Sequence, residues 1–257
     1  MRLTVLGGSA AGINTGAGCS GYLVESLTTR IVLDLGPGTL LELRKHADFR
    51  RLDGIVISHF HLDHTLDLGA LRFALAYNPI APPRPLPLWL PPGGMSNLDR
   101  FATAFAEPAR EREFFSSVFS IEEYDPAQPL DIGDVRIRFM PTVHYIPCWA
   151  MRVWQGSAPE LGYTADTGPA APLDEFFSGV QVFVSEGTLI APTAEPYETR
   201  GHLTAQEAGF LAQSVGATTL VLTHLWEELD FRAYERQAAS AFSGQVLRGT
   251  PGLRVEW

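Results

Sequence analysis

Four ionisable side chains crowd into six residues at His59-Phe60-His61-Leu62-Asp63-His64. In a chain with 7 histidines among 257 residues, an H-x-H-x-D-H pattern arises by chance in roughly two of ten thousand chains of this composition, so the spacing itself is informative. Such a group at the end of an apolar run is costly unless it coordinates a cation. Alternate residues of an extended segment project the same way, which puts His59 and His61 on one side. Asp63 and His64 then turn into a helix and can address a second ion. Imidazole and carboxylate together suit zinc, with manganese or iron as alternatives.

Two ions need more ligands than one motif supplies. Isolated candidates follow three later apolar runs: His144 in MPTVHY, Asp166 in GYTADTG and His224 in LVLTHL. Asp34 in VLDLG is placed in the same way. Each alone reads as readily as a hydrogen-bonded structural residue, and only together do they favour a metal centre.

The elements needed to hold these residues are legible as strands and helices in alternation. Apolar runs at 2–6, 22–25, 30–35 and 54–58 read as strands closed by Gly or Pro, the last emptying into His59. Residues 39–45 and 63–77 carry helical spacing, with Leu68, Leu71 and Leu75 on one face. Seven prolines within 78–92 forbid a helix and mark a connection around one strand at 86–90. A helix near 97–106 follows, then a hairpin-like pair at 119–124 and 135–142. Further strands are expected near 148–154, 161–164, 180–185 and 219–223, with helices near 174–177, 204–215 and 230–242. Thr204 and Glu207 have the capping-box spacing. There is no internal sequence repeat, and the grouping of strands around helices predicts one layered α/β domain over 1–257.

Composition narrows the function. Hydrophobic residues are 46% and charged residues 19%, as in a folded globular protein, and the formal net charge is −10. That charge argues against a surface built to neutralise phosphates along a nucleic acid. No run of about 18 apolar residues suggests a membrane span. The two cysteines, Cys19 and Cys148, form no metal or disulfide spacing, which makes a reducing cytoplasmic setting the default expectation. Cys148 reads as a buried structural thiol. Gly16-Ala17-Gly18-Cys19-Ser20-Gly21 fits G-x-G-x-x-G formally, but it runs into a strand and not a helix, which excludes a dinucleotide site. Phe60, Tyr145, Trp149 and Trp226 read first as packing residues, with Tyr145 and Trp226 as candidate pocket walls.

Over essentially its full length the chain resembles the metallo-β-lactamase-fold hydrolases, on the strength of LDLGPG, SHFHLDH, the later His144, TADTG and the terminal TH. The resemblance implies a four-layer αββα sandwich, two mixed β-sheets flanked by helices, with metals at the sheet edges. It assigns His59, His61 and His144 to one ion, Asp63, His64 and His224 to the other, and Asp166 to a bridge between them. Asp34 becomes a carboxylate behind the histidines. SEGT (185–188) and GHLTAQEAG (201–209) are similar to the glutamate and histidine segments of the ribonuclease Z-like branch, which implies that Glu186 orients His202 and that His202 assists at a scissile phosphate. Asp63, His202 and Glu186 are thus the catalytic candidates.

One departure matters. The tRNA-processing members carry a long basic arm between the counterparts of His144 and Asp166, whereas here these residues are only 22 positions apart, with Arg152 the one cation between them. The expected activity is therefore hydrolysis of a small phosphodiester by a water or hydroxide bridging two divalent ions, with zinc the expected metal and manganese or iron the alternatives. Two such ions would bring the formal charge from −10 to −6, so the charge excludes an extended tRNA-gripping surface and not a phosphate at the metals. Rival readings are a lactonase, β-lactamase or arylsulfatase on the same metals, and, from another class, a non-catalytic metal-dependent binding protein. A di-iron oxygen enzyme is disfavoured because His61 stands where flavodiiron members use glutamate. A small-molecule partner is expected, and self-association as a homodimer stays open.

Overall fold

In the computed structural model, which describes residues 1–156 and 158–257, the strands form two seven-stranded sheets. The first contains β1 (Arg2–Gly7), β2 (Gly21–Glu25), β3 (Arg30–Leu33), β4 (Gly54–Val56), β5 (Leu86–Leu90) and β6 (Phe119–Glu123) in that order, with β14 (Arg254–Glu256) outside β1. The second runs β13 (Gln245–Arg248), β12 (Thr219–Thr223), β11 (Val182–Glu186), β10 (Ala158–Tyr163), β9 (Trp149–Gln155), β8 (Val135–Pro141) and β7 (Leu130–Ile132). Helices α1 (Thr39–His46), α2 (Leu62–Thr65), α3 (Asp67–Tyr77) and α4 (Gly94–Phe105) belong to the first half of the chain. Helices α5 (Leu173–Phe176), α6 (Ala205–Ser214) and α7 (Phe231–Ala241) belong to the second.

Three apolar clusters correspond to the three interfaces of a four-layer sandwich. Leu3, Val24, Leu33, Ile137, Val153 and Val184 fill the space between the sheets. Leu23, Val32, Ile55, Leu71 and Leu98 join the first sheet to its helices, and Phe183, Leu220, Ala208 and Tyr234 do the same for the second. Strand β8 shows how sequence sets the face: Val135, Ile137 and Phe139 point into the core while Arg136 and Arg138 are exposed.

Although no sequence repeat is visible, the two sheets repeat one pairing pattern. From β14 to β3 all neighbours are antiparallel and from β3 to β6 all are parallel. From β7 to β10 neighbours are again antiparallel, and from β10 to β13 parallel. The parallel strands β3, β4, β10, β11 and β12 therefore deliver their C-terminal ends to one edge of the sandwich, where Glu186 ends β11 and Asp34, Ser58 to His64, Asp166 and His224 follow the others.

Two expectations need correction. Strands β6 and β8 are not a hairpin: β6 is an edge of the first sheet and β8 pairs with β7 and β9 in the second. Alternation at 135–142 shows a half-buried strand but carries no information about its partner; the chain changes sheets between them, and Tyr124 stacks on Phe139 at 3.9 Å. The helix expected over 63–77 is broken at Leu66, because the Leu35 N–H takes the His64 carbonyl and the Asp67 N–H takes the Leu35 carbonyl.

Candidate metal centre

Every residue named from the motifs meets at this one edge. His59 Nε2 and His144 Nε2 lie 3.1 and 3.0 Å from His61 Nδ1, and both are 3.6 Å from Asp166 Oδ2. A second group adjoins it, with His224 Nε2 3.0 Å and His64 Nε2 3.6 Å from Asp63 Oδ2. Asp166 faces both groups: Oδ1 is 3.2 Å from His64 Nε2, and Oδ2 is 3.5 Å from His224 Nε2.

The backbone is bent to bring these groups together. Among the described residues, Asp34, Ala165 and His224 are the non-glycine positions with left-handed φ, at 57°, 50° and 60°, a conformation that costs about 1–3 kcal/mol and persists only where surroundings impose it. Two glycines permit close approaches: a Cβ on Gly36 would stand 1.9 Å from the Asp63 carbonyl oxygen, and one on Gly168 1.5 Å from that of Arg200. Gly168 thereby lets the segment bearing His202 lie against the Asp166 loop.

The outer hydrogen bonds decide what the inner atoms offer. His144 Nδ1 faces the Gly201 carbonyl at 2.9 Å, which only accepts, so the proton is on Nδ1. His64 Nδ1 likewise donates to Asp34 Oδ2 at 2.8 Å. Ser58 Oγ donates to Asp34 Oδ2 and so accepts from His59 Nδ1, 3.0 Å away. Thr188 Oγ1 donates to Glu186 Oε2 and accepts from His224 Nδ1 at 2.7 Å. In the neutral imidazoles all four Nε2 atoms are therefore lone pairs that converge on carboxylates and on one another. The buried His64 Nε2 has no hydrogen-bond partner among the described residues. Crowded lone pairs of this kind repel unless a cation lies among them, so the donor set fits divalent metal ions.

Protonation agrees. Burial drives His59 well below the usual imidazole range, helped by His64 beside it, and lowers His61 and His144 as well. Burial opposes charge on Asp63, but the His224 and His64 rings beside it bring its pKa down to about 2. Asp166 is held well below the carboxylate range against its burial, chiefly by His224 and His64. His64 moves the other way: burial lowers it, and Asp166 and Asp34 on either side raise it well above the usual value. A proton there substitutes for the positive charge that the two carboxylates require.

Beside the second group lies Glu186, 1% exposed. Its Oε1 accepts from the Thr167 N–H at 2.6 Å and from His202 Nδ1 at 3.0 Å. The His202 ring stacks on His224 at 5.4 Å and meets His144 edge-on at 5.1 Å. Burial disfavours charge on His202, yet the Glu186 carboxylate outweighs it and raises the pKa to about 9. Tyr145 lies over His144 and His202 at 5.1 and 5.7 Å, is 54% exposed, and donates to Glu195. Trp226, the other candidate wall, instead packs against Gly12.

Cys148 is buried with Sγ 3.4 Å from His59 Nδ1, the nitrogen facing away from the metal groups, and burial pushes its thiol pKa far up. It is a packing residue, as expected. Sequence reasoning did not single out Ser58, Tyr163 or Thr188. Tyr163 donates to Asp34 Oδ2 at 2.6 Å, and Thr188 stood in the quoted SEGT segment without a role.

Known proteins resemble this chain in sequence and in fold. Residues 29–225 match the family model described as "Beta-lactamase superfamily domain". A protein of Mycobacterium tuberculosis is 30% identical over 247 residues, covering 96% of this chain and 88% of that one. "Probable metallo-hydrolase YhfI" of Bacillus subtilis is 29% identical over 248 residues, 96% of each chain, and its crystal structure superposes with a TM-score of 0.84 over 99% of both. A ribonuclease Z of Halorubrum lacusprofundi is 24% identical, covering 100% of this chain and 97% of its own. A diphosphatase of the PhnP family shares the fold, with a TM-score of 0.77 at 18% identity over 100% of this chain and 97% of that one. The αββα sandwich, the converging His and Asp groups and these relatives together make the chain a metallo-hydrolase-type member of the β-lactamase superfamily, with ribonuclease Z-like relatives.

Proposed function

We propose that the protein is a phosphodiesterase that hydrolyses a small phosphodiester at two divalent ions, zinc first among them. His59, His61 and His144 would hold one ion, Asp63, His64 and His224 the other, and Asp166 would bridge them. Two such ions supply Lewis acidity, lowering the pKa of the attacking water and neutralising charge on the attacked group.

The observation that carries the phosphodiester reading is the Glu186–His202 pair set against the metal groups. Glu186 holds His202 Nδ1, leaving Nε2 to donate. With its pKa raised to about 9, His202 is an imidazolium at neutral pH. It can therefore stabilise a phosphoryl oxygen or protonate the departing alkoxide as charge builds. Asp63, ionised down to about pH 2, stays available as a ligand and hydrogen-bond acceptor across the working range. The Halorubrum relative is named a ribonuclease Z and a structural neighbour a diphosphatase, names that point to phosphorus chemistry; the short His144–Asp166 interval favours a small substrate.

The test is to assay metal-loaded protein on bis-p-nitrophenyl phosphate, a lactone, a β-lactam and an aryl sulfate, alongside His202→Ala. Phosphodiester turnover that His202→Ala abolishes without loss of bound metal supports the reading. Absence of phosphodiester turnover with zinc, manganese and iron alike, while the lactone, β-lactam or sulfate is cleaved, replaces it with that rival. Bound metal with no hydrolysis of any of the four points to a binding protein.

A further inference from the structure

Glu186 is bound to more than His202. Its Oε2 accepts the Thr188 hydroxyl at 2.6 Å, and that hydroxyl accepts His224 Nδ1 at 2.7 Å. Thr188 is 6% exposed and His224 2%, so water does not compete for these bonds. The backbone of Thr188 is pinned as well, its carbonyl accepting the Tyr234 hydroxyl at 2.9 Å. His224 itself sits at φ 60°, a left-handed backbone that persists only where its surroundings impose it.

The same arrangement occurs in the other half of the sandwich. Asp34 Oδ2 takes His64 Nδ1 directly at 2.8 Å and takes the Ser58 hydroxyl at 2.7 Å, and that hydroxyl faces His59 Nδ1 at 3.0 Å. In each half one buried carboxylate orients one histidine by contact and a second through a hydroxyl.

We propose that Thr188 is a positioning residue, whose hydroxyl extends the hydrogen bonding of Glu186 to His224, so that a single carboxylate orients both the metal-facing His224 and the proton-donating His202. This inference rests on the reading of His224 as a metal ligand. The hydroxyl has one proton, which it gives to Glu186. It therefore requires the proton of His224 on Nδ1 and keeps the Nε2 lone pair directed at Asp63 and Asp166. Valine at this position keeps the volume and removes the bond; serine keeps the bond and loses a methyl group.

The test compares wild type, Thr188→Val and Thr188→Ser by competition of the folded protein with a chromophoric chelator for zinc, and by the visible spectrum of the cobalt-loaded forms. Removing an outer partner of a metal-ligating histidine costs about 10–100-fold in metal affinity. Thr188→Val is expected to lose that much for one of two ions, with a changed cobalt spectrum, and Thr188→Ser to stay within about threefold of wild type. Thr188→Val with both affinities and the spectrum unchanged overturns the proposal while leaving the metal reading intact. Loss of affinity in Thr188→Ser equal to that in Thr188→Val also overturns it, because the hydroxyl would then not be the operative group. If Thr188→Val does not fold, Thr188→Ala with the serine variant carries the same comparison. Wild type that takes up no zinc or cobalt overturns the metal reading itself.

Discussion

Asp34 and His64 stand 30 residues apart in the chain and 2.8 Å apart in space. The carboxylate of Asp34 also accepts the Ser58 N–H and hydroxyl, each at 2.7 Å, and the Tyr163 hydroxyl at 2.6 Å. Since Ser58 in turn receives His59 Nδ1, this one fully buried side chain stands behind a histidine of each metal group. It joins the sheets too, because Asp34 follows β3 in the first and Tyr163 ends β10 in the second.

Asp34→Asn should separate charge from shape. The amide presents one acceptor atom and one donor where four donors now converge, leaving buried donors unsatisfied at about 1–3 kcal/mol each. Chemical denaturation of the metal-free variant is expected to show a loss of that order, and chelator competition about a 10–100-fold loss in metal affinity. Wild-type values in both measurements would mean that Tyr163 and Ser58 orient the histidines without the carboxylate.

The pH dependence of turnover should be governed on its alkaline side by His202. Its pKa in the fold is raised, to about 9, from an unperturbed value of about 6.5. The stabilising interaction with Glu186 is therefore fully present below about pH 6.5 and is lost as pH rises through about 9. Activity is expected to fall across that same upper limb. Glu186→Gln should move the limb to lower pH, and His202→Ala should remove it while lowering kcat about 10²–10⁴-fold. A profile whose upper limb is unmoved by either substitution assigns the ionisation to another group.

Metal removal should lower thermal stability. A ligand at a hundredfold excess over its Kd contributes about 2.7 kcal/mol, and in a chain of this size about 1 kcal/mol shifts Tm by roughly 2–4 °C. Chelation is thus expected to lower Tm by roughly 5–11 °C per ion so held. The metal-free protein should also be acid-sensitive. Asp63 has its pKa lowered to about 2 from about 3.9 in the unfolded chain, so its contribution is present above pH 4 or so and is lost as pH falls through about 2. Scanning calorimetry across pH, with and without chelator, checks both effects.

Much of this centre was readable before the fold was known, for a physical reason. His59 to His64 are contiguous, and a coordinating cluster written in six residues needs no knowledge of topology. His144, Asp166 and His224 became persuasive only as a set, because a residue after an apolar run says which end of a strand it occupies and not which neighbours stand beside it. Ser58, Tyr163 and Thr188 were not recognised: Ser, Thr and Tyr are common, and a hydroxyl acquires its role only from the two groups it joins. The same limit explains β6 and β8, where alternation identified strands and the sheet change at Tyr124 had no local mark. Strands β7, β13 and β14 also escaped, being three or four residues long and mostly not buried.

Tyr145 offers the clearest handle on what enters the site. Its ring is 54% exposed beside His144 and His202, and its hydroxyl donates to Glu195. An exposed aromatic face in this place suits stacking of a flat leaving group, and base–aromatic stacking contributes about 1–3 kcal/mol per base. Tyr145→Ala is therefore expected to raise KM roughly five- to hundredfold for phosphodiesters with an aromatic or heterocyclic group, with kcat little changed because the Glu186–His202 pair is untouched. Tyr145→Phe should keep the face, lose the bond to Glu195, and fall between the two. Steady-state kinetics on a matched pair of aryl and alkyl phosphodiesters decides the point: an equal rise in KM for both would show that Tyr145 shapes the pocket without stacking on the substrate.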